Sequence, residues 1–473
     1  MKKHLLIDGK WVQTKDYSLL YSPYSKEVLG EIASATLAEA DLAIEAAVRC
    51  KPVMRNMPAH QRARILESVS RLLEDRREEA ARVIASEASK PLKAAYAEVD
   101  RTIQTYKFAA EEAKRIHGET IALDAAPGGE GRIAYTMREP IGVVGAITPF
   151  NFPMNLVAHK LGPAIASGNT VVLKPAELTP LSAFFVAELF MEAGLPAGAL
   201  NVITGDGKII GDQIVTDPRV NVISFTGSPT VGIGIRAKAG LKRVTLELGS
   251  NSAVIVDANV NVDSLISRCV AGAFSFQGQV CISLQRVYVL EEKYEEFTEK
   301  FIAAAKRLKL GDPLDTETDV SAMISEREVK RALDWIEEAR GSGATVAFGG
   351  TAQNGILMPT VLLDVPSTVQ VSCKEVFAPI VLINKVRSVD EAIDLVNHSV
   401  YGLQAGIYTD NVHTALNAAE KLHVGGVMIN DIPTFRLDHM PYGGVKESGL
   451  GREGIKYAIE ELTEMKLVVF NRN

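Results

Sequence analysis

Ile141-Gly142-Val143-Val144-Gly145-Ala146 opens the stretch of chain that decides the fold. Further apolar runs follow it, Thr170–Leu173, Ala199–Ile203, Val220–Phe225 and Ala253–Val256, with helix-like segments between them. That alternation is the sequence form of consecutive βαβ units on a parallel sheet. A second alternation succeeds it: Arg286–Leu290, a helix near Glu292–Leu308, then Thr345–Ala347, Thr360–Leu363 and Ala378–Asn384. Two α/β domains are therefore expected. Ahead of both, from about Leu37 to Ile116, apolar positions such as Ile65, Val69, Leu72 and Leu73 recur at helical spacing among many charges, as in amphipathic surface helices.

Two stretches fit neither domain. Gly131–Arg138 follows a Gly/Pro-rich segment and reads as the second arm of a hairpin, and Lys466–Phe470 is an apolar strand near the C-terminus. A bare strand edge has to be covered. Completion of an internal sheet and contact with another subunit both satisfy that requirement. No internal repeat or low-complexity tract is visible.

At 473 residues the chain is too long for one core, and domains of ordinary size put it at two or three. A composition of 47% hydrophobic and 23% charged residues is that of a folded globular protein, which excludes extended disorder and fibrous designs. The net charge of -7 is mild and the Lys and Arg residues are scattered, so nucleic acid is not an expected partner. Met1-Lys2-Lys3-His4 resembles the start of a signal peptide, but Asp8-Gly9-Lys10 cuts off the apolar run Leu5-Leu6-Ile7. No run has the length of a membrane span. Cys50, Cys269, Cys281 and Cys373 are widely spaced, which fits neither a disulfide framework nor a metal site. A reducing cytoplasm is the expected compartment, and no metal is expected.

Chemistry concentrates at Phe276-Gln277-Gly278-Gln279-Val280-Cys281. A lone cysteine is by default a packing residue, but this one has company. Val244-Thr245-Leu246-Glu247 places a carboxylate at the end of an apolar run, and Thr148-Pro149-Phe150-Asn151-Phe152-Pro153 offers an amide at the mouth of a helix. A thiol, a base and an oxyanion donor make a constellation for attack on a carbonyl carbon. No histidine sits in a recognisable pairing motif with Cys281, which disfavours a cysteine hydrolase. One GxGxxG pattern occurs, Gly449 to Gly454, but it follows a loop rather than a strand, so it reads as a decoy for a dinucleotide fingerprint. Better phosphate candidates are the strand exits Phe225-Thr226-Gly227-Ser228, with a helix beyond Val231, and Lys174-Pro175-Ala176-Glu177. Together they suit a ribose and its phosphates.

Taken in order, Thr148–Pro153, Lys174–Glu177, Phe225–Ser228, Glu247–Gly249, Gly278–Cys281, Glu375–Pro379 and Pro441–Gly444 with Gly449–Glu453 resemble the NAD(P)-dependent aldehyde dehydrogenase superfamily from end to end. Within it the chain is similar to the lactaldehyde dehydrogenase-like group, with non-phosphorylating glyceraldehyde-3-phosphate dehydrogenases as near relatives. The resemblance implies a Rossmann-like cofactor domain over residues 1–118 and 140–247 and an α/β thiol-bearing catalytic domain over 248–448. Residues 119–139 and 464–473 would be oligomerisation strands of a homodimer or homotetramer. It makes Cys281 the nucleophile and Glu247 the general base, with Asn151 and the Cys281 N–H as the oxyanion hole and Lys160 and Glu453 as a proton relay. Lys174 and Glu177 would sit at the adenosine ribose, Ser228 at the pyrophosphate, and Glu375 at the nicotinamide ribose with Phe377 nearby. Ile147, Thr148, Pro149, Phe150, Phe225, Gly227, Val231 and Leu248 complete the implied cofactor contacts. NAD is the expected cofactor, with NADP as the alternative.

The implied reaction is oxidation of a small aldehyde to its acid through a cysteine thiohemiacetal and thioester. A short 2-hydroxyaldehyde of the lactaldehyde, sulfolactaldehyde or glyceraldehyde-3-phosphate type is the expected substrate. Arg101, Arg436 and His439 lie in segments similar to the family's aldehyde-entrance regions, where the arginines could meet an anion or instead make structural ion pairs. Relatives that take the phosphorylated aldehyde tend to carry arginine before the nucleophile, and here that position is Val280. The alternatives are a CoA-acylating semialdehyde dehydrogenase, against which Glu247 argues, a broad-range or succinate semialdehyde dehydrogenase, and a non-catalytic protein that kept the fold.

Overall fold

The parallel alternation read at residues 141–247 folds as the centre of an eight-stranded sheet in a computed structural model that describes residues 1–472, whereas Ala253–Val256, read as part of the same alternation, pairs instead with Arg286–Leu290 and Gln404–Tyr408 in a second sheet. In spatial order its strands are Gly449–Leu450, Arg243–Glu247, Val222–Thr226, Val143–Ile147, Thr170–Lys174, Leu200–Val202, Leu5–Ile7 and Lys10–Val12. The strands from Arg243–Glu247 to Leu200–Val202 are mutually parallel, so their carboxyl ends share one rim. Register puts Ile147 beside Lys174 and Thr226 beside Glu247 on that rim. Ligand sites in open α/β sheets form at such ends.

The far edge of this sheet is built from the N-terminal residues that read as a cut-off signal segment. Asp8 and Gly9, with φ of 53° and 70°, turn the chain so that Ile7 pairs with Lys10. Asp-Gly at positive φ is a strong two-residue hairpin signal, and the residues that end the apolar run are the ones that make the turn.

A second sheet orders Thr345–Phe348, Thr360–Leu363, Ile380–Val386, Arg286–Leu290, Ala253–Val256, Gln404–Tyr408 and Gly426–Ile429. All its pairings but the first are parallel. The last two strands were not expected from sequence, and the strand expected at Ala378 begins at Ile380. Phe274, Phe297 and Phe301 stack beneath this sheet at centroid distances of 5.7 and 5.9 Å. Burial of each such ring contributes about 1.5–3 kcal/mol.

The helical region resolves into Leu37–Asn56, Ala59–Asp75, Arg77–Ala88 and Leu92–Ala113. Thr36 and Glu39 close a capping box at the first of them. The helix Asn155–Ala166 is buried at every position, because it lies between the first sheet and the helices Leu92–Ala113 and Ile455–Glu461.

Thr463–Asn471 pairs antiparallel along its whole length with Arg132–Pro140 of the same chain, and Thr120–Ile121 flanks the other side. The terminal strand thus completes a sheet within its own chain. Ile133, Tyr135, Met137, Leu467, Val469 and Phe470 remain exposed on this ribbon. No helix among the described residues is long and apolar enough to cross a membrane.

Candidate active site

Cys281 sits on the loop between helix Val262–Phe274 and strand Arg286–Leu290. The loop begins with a left-handed run, Phe276, Gln277 and Gly278 at φ of 47°, 55° and 67°. Side chains with a Cβ disfavour that region, so such a run persists only where surroundings hold it. Gln277 does part of the holding by donating from Nε2 to the carbonyls of Ser89 (2.9 Å) and Ala322 (2.8 Å). Gln279 accepts at Oε1 from the Ile324 N–H at 3.0 Å. A Cβ on Gly278 would lie 2.2 Å from the Ala378 carbonyl oxygen, so the close approach requires glycine.

Asn151 reaches this loop from the first sheet. Its Nδ2 donates to the Gln279 carbonyl at 3.0 Å, which aims the amide at the cysteine loop. Beneath it lies a buried ion pair, Lys90 with Glu98. Lys90 also donates to the Asn151 carbonyl at 2.7 Å, and Glu98 accepts the N–H groups of Met154 (2.9 Å) and Asn155 (3.1 Å). A carboxylate on the first N–H groups of helix Asn155–Ala166 also meets the positive end of that helix.

Glu247 ends its strand fully buried, and neither carboxyl oxygen has a hydrogen-bond partner among the described residues. Burial, and then the negative charge of Glu453, push its pKa well above the ordinary range. A carboxyl group in that state suits a general base that works near neutrality. Burial alone would also raise Glu453, but Lys160, Arg436 and His159 outweigh it and hold that carboxylate ionised. Glu453 accepts from Lys160 at 3.4 Å and from Arg436 at 2.9 Å. Lys160 also donates to Ser224 (3.1 Å) and Thr226 (2.8 Å).

A cavity of about 200 Å³ opens in front of Cys281, walled by Phe152, Asn155, Phe276, Thr434, Tyr442, Lys90, Arg101 and Arg436 among others. Burial pushes the Cys281 thiol up to about 11, while a contact of 3.5 Å between Sγ and the Tyr442 hydroxyl pulls the other way. Both arginines line this cavity, and both are already paired. Arg101 binds Asp438 through two bonds of 2.7 and 3.2 Å, and Asp438 also accepts from Asn155 (3.0 Å) and contacts His159 Nε2 (2.9 Å). Arg436 pairs with Glu453 and stacks on Tyr442, yet its Nε, buried, has no partner among the described residues. The expectation for His439 fails: it is exposed, packs on Phe108 at 4.7 Å, and lines no part of this cavity. The chain turns at Asp438, whose bonds point inward and leave the next side chain facing out.

A second cavity, about 760 Å³, lies on the shared rim of the first sheet between helices Gly207–Thr216 and Pro229–Lys238. Ile147, Thr148, Pro149, Lys174, Glu177, Phe225, Gly227 and Val231 line it. Ser228 is the N-cap residue of Pro229–Lys238 beside it. Thr148 Oγ1 is buried without a partner among the described residues, and Lys174 is a buried cation 3.6 Å from Glu177. An unpartnered hydroxyl and a buried cation beside a large cleft at strand ends fit a dinucleotide. Besides Ser228, four residues expected at the cofactor lie off the wall of this cavity. Phe150 and Phe377 meet edge to face at 5.8 Å, Leu248 packs under Gly232, and Glu375 accepts the Ser250 N–H at 3.0 Å. Glu375 stands near enough to Cys281 to raise its pKa.

Sequence reasoning missed several groups. Asp206, Gly207 and Lys208 line the second cavity, and Glu177 accepts the Gly207 N–H at 2.9 Å. An Asp-Gly pair after a strand was a helix-cap signal that could have located them. Lys90, Glu98 and Asp438 carried no local signal, and Tyr442 lies in the Pro441–Gly444 motif with no role assigned to it from sequence. The decoy glycines form an edge strand, Gly449–Leu450, beside Leu246 and Glu247. No cluster that could hold a metal exists among the described residues.

The sequence profile of the Aldehyde dehydrogenase family matches residues 11–468. The chain is 45% identical over 468 residues to the 3-sulfolactaldehyde dehydrogenase of Priestia aryabhattai, covering 99% of this chain and 98% of that protein. It is 41% identical over 471 residues to the lactaldehyde dehydrogenase of Methanococcus aeolicus, covering 99% and 100%. Among solved structures, glyceraldehyde-3-phosphate dehydrogenase GapN of Methanocaldococcus jannaschii complexed with NADP superposes with a TM-score of 0.93 at 40% identity, covering 97% of this chain and 100% of that one.

The Lys90–Glu98 pair yields a stability prediction. Lys90→Met or Glu98→Gln alone strands a buried partner and is expected to cost about 3–5 kcal/mol, whereas the double variant loses less than the sum. Melting temperatures of the three variants check this, and additive losses would show that the two side chains are not coupled.

Proposed function

This chain belongs to the aldehyde dehydrogenase family and oxidises an aldehyde with NAD(P) as acceptor; we propose that Cys281 is its nucleophile and Glu247 its hydrolytic base. The observation that carries the reading is the buried Glu247 carboxyl with both oxygens unengaged, in the same pocket of charge as the cysteine. The sulfur adds to the aldehyde carbon, and the carbonyl oxygen, now an alkoxide, is held by the Asn151 amide and the Cys281 N–H. One such donor is worth about 3 kcal/mol in comparable sites. The nicotinamide group, when bound, supplies the hydride acceptor. Glu247 then removes a proton from water, the hydroxide oxygen attacks the thioester carbon, and the C–S bond breaks to release the acid and the thiolate. Lys160 and Glu453 carry the proton from Glu247 onward. Residues 1–118 and 140–247 would hold the cofactor, residues 248–448 the thiol, and the ribbon of residues 119–139 and 464–473 would bury its apolar side chains in a homodimer or homotetramer.

Cys281→Ala is expected to lower aldehyde oxidation by several orders of magnitude with cofactor binding intact. Glu247→Gln should instead give a pre-steady-state burst of reduced cofactor followed by slow turnover. In the wild type the hydrolytic step should accelerate as pH rises through the raised Glu247 pKa, because only the ionised form accepts a proton; in Glu247→Gln that rise should vanish. Stopped-flow traces across pH check all three, and an unchanged pH profile in Glu247→Gln would remove it as the base.

For the cofactor, Glu177 supports NAD over NADP, while Lys174 could serve either. One Glu177 oxygen is engaged by the Gly207 N–H, which leaves the other for a ribose 2′-hydroxyl and sets a negative charge against a 2′-phosphate. Glu177→Gln is expected to narrow the ratio of kcat/KM for NAD over NADP, and a tenfold preference of the wild type for NADP would refute the reading.

For the substrate, we propose a short 2-hydroxyaldehyde that bears an anionic group such as sulfonate or phosphate. The unpartnered Arg436 Nε supports this, since a buried donor on the wall of a small cavity lacks the acceptor that an anion would supply. Arg101 is the safer probe because Arg436 also serves Glu453. Arg101→Gln is expected to raise KM for sulfolactaldehyde about tenfold or more, from a lost charge-assisted hydrogen bond, with little change for lactaldehyde. Steady-state kinetics on lactaldehyde, its sulfonated and phosphorylated analogues and succinate semialdehyde decide it; best turnover of neutral aldehydes with no effect of the substitution defeats the anionic reading.

A further inference from the structure

We propose that the Tyr442 hydroxyl is a catalytic group that hydrogen-bonds the ionised sulfur of Cys281 and holds it toward the incoming carbonyl. The inference rests on Cys281 being the nucleophile. Tyr442 is buried, and its hydroxyl lies 3.5 Å from Sγ, the one hydrogen bond the sulfur has among the described residues. Phenylalanine would fill the same space, so packing does not account for the hydroxyl. A buried hydroxyl without a partner is costly, and here its partner is the reacting atom.

The ring cannot drift. Its backbone is bridged to Glu453 by N–H to carbonyl bonds of 3.0 Å and 2.6 Å, and Phe276, Val280, Ile282 and Leu403 pack around it. The guanidinium of Arg436 lies 3.6 Å from the ring centroid on one face. A cation there draws electron density from the ring and makes the phenol a better donor.

The other charges around the sulfur leave a need for such a donor. Glu247 and Glu375 both oppose a negative sulfur, and Arg436 favours it but is already paired with Glu453. Lys90 and Arg101 line the cavity with their charges committed to Glu98 and Asp438. A donor that lowers the thiol pKa by about one unit raises the thiolate fraction about tenfold below that pKa and reduces intrinsic nucleophilicity about threefold, a net gain of about threefold.

The test is the rate of Cys281 alkylation by iodoacetamide against pH, followed on the Cys281 peptide by mass spectrometry in the full chain, with Cys281→Ala identifying that peptide. Tyr442→Phe is expected to move the inflection up by about one unit, with its melting temperature preserved, and to slow the burst of reduced cofactor at pH 7 about threefold. 3-Fluorotyrosine at position 442, a stronger donor of nearly the same shape, should move the inflection down. Superimposable profiles for wild type and both variants, with aldehyde oxidation still dependent on Cys281, overturn this proposal alone. Aldehyde oxidation that survives in Cys281→Ala overturns the nucleophile reading and this proposal with it.

Discussion

The Glu453 carboxylate, buried between Lys160 and Arg436, ties the site together. Lys160 comes from the helix that follows the Asn151 loop, Arg436 from the wall of the thiol cavity, and the Glu453 backbone is bridged to Tyr442. Burial of such charges is tolerable only because the carboxylate lies at hydrogen-bond distance from both cations. The same carboxylate sets the state of Glu247. Two buried carboxyl groups oppose one another: the one bonded to Lys160 and Arg436 is held low in pKa, while the one whose oxygens have no partner among the described residues is raised by burial and then by its neighbour's charge. Environments that push paired carboxyl pKa values apart are how one site keeps an acid form and a base form together.

Around that centre the backbone is stressed where the chemistry is placed. Phe276 and Gln277 adopt left-handed backbone that their side chains disfavour, and the cost is met by the hydrogen bonds of Gln277 and by the fit of Gly278 against Ala378. The Lys90–Glu98 pair does for the Asn151 loop what Gln277 does for the cysteine loop. Each facing loop is anchored by a residue that itself touches no reacting atom, which makes the spacing between thiol and amide a property of two separate supports.

The cations of the thiol cavity are largely compensated. Lys90, Arg101 and Arg436 face Glu98, Asp438 and Glu453, so recognition of an anion would come from directed donors rather than from net positive field.

Local pattern was enough for the parallel strands of the first sheet, the helical character of the region ahead of it, the thiol loop and the carboxylate at the end of Arg243–Glu247, because each is written in consecutive residues as apolar period, glycine placement or motif. The N-terminal hairpin was legible in principle in Asp8-Gly9, but its charges masked a short strand. His439 was misread, Lys90 and Asp438 were not read at all, and Tyr442 was read within its motif but given no role, since a one-dimensional pattern carries no information about which of two neighbouring side chains turns inward. That choice belongs to the tertiary structure: Asp438 goes in because Arg101, Asn155 and His159, brought from two helices 279 to 337 residues away, converge on its carboxylate.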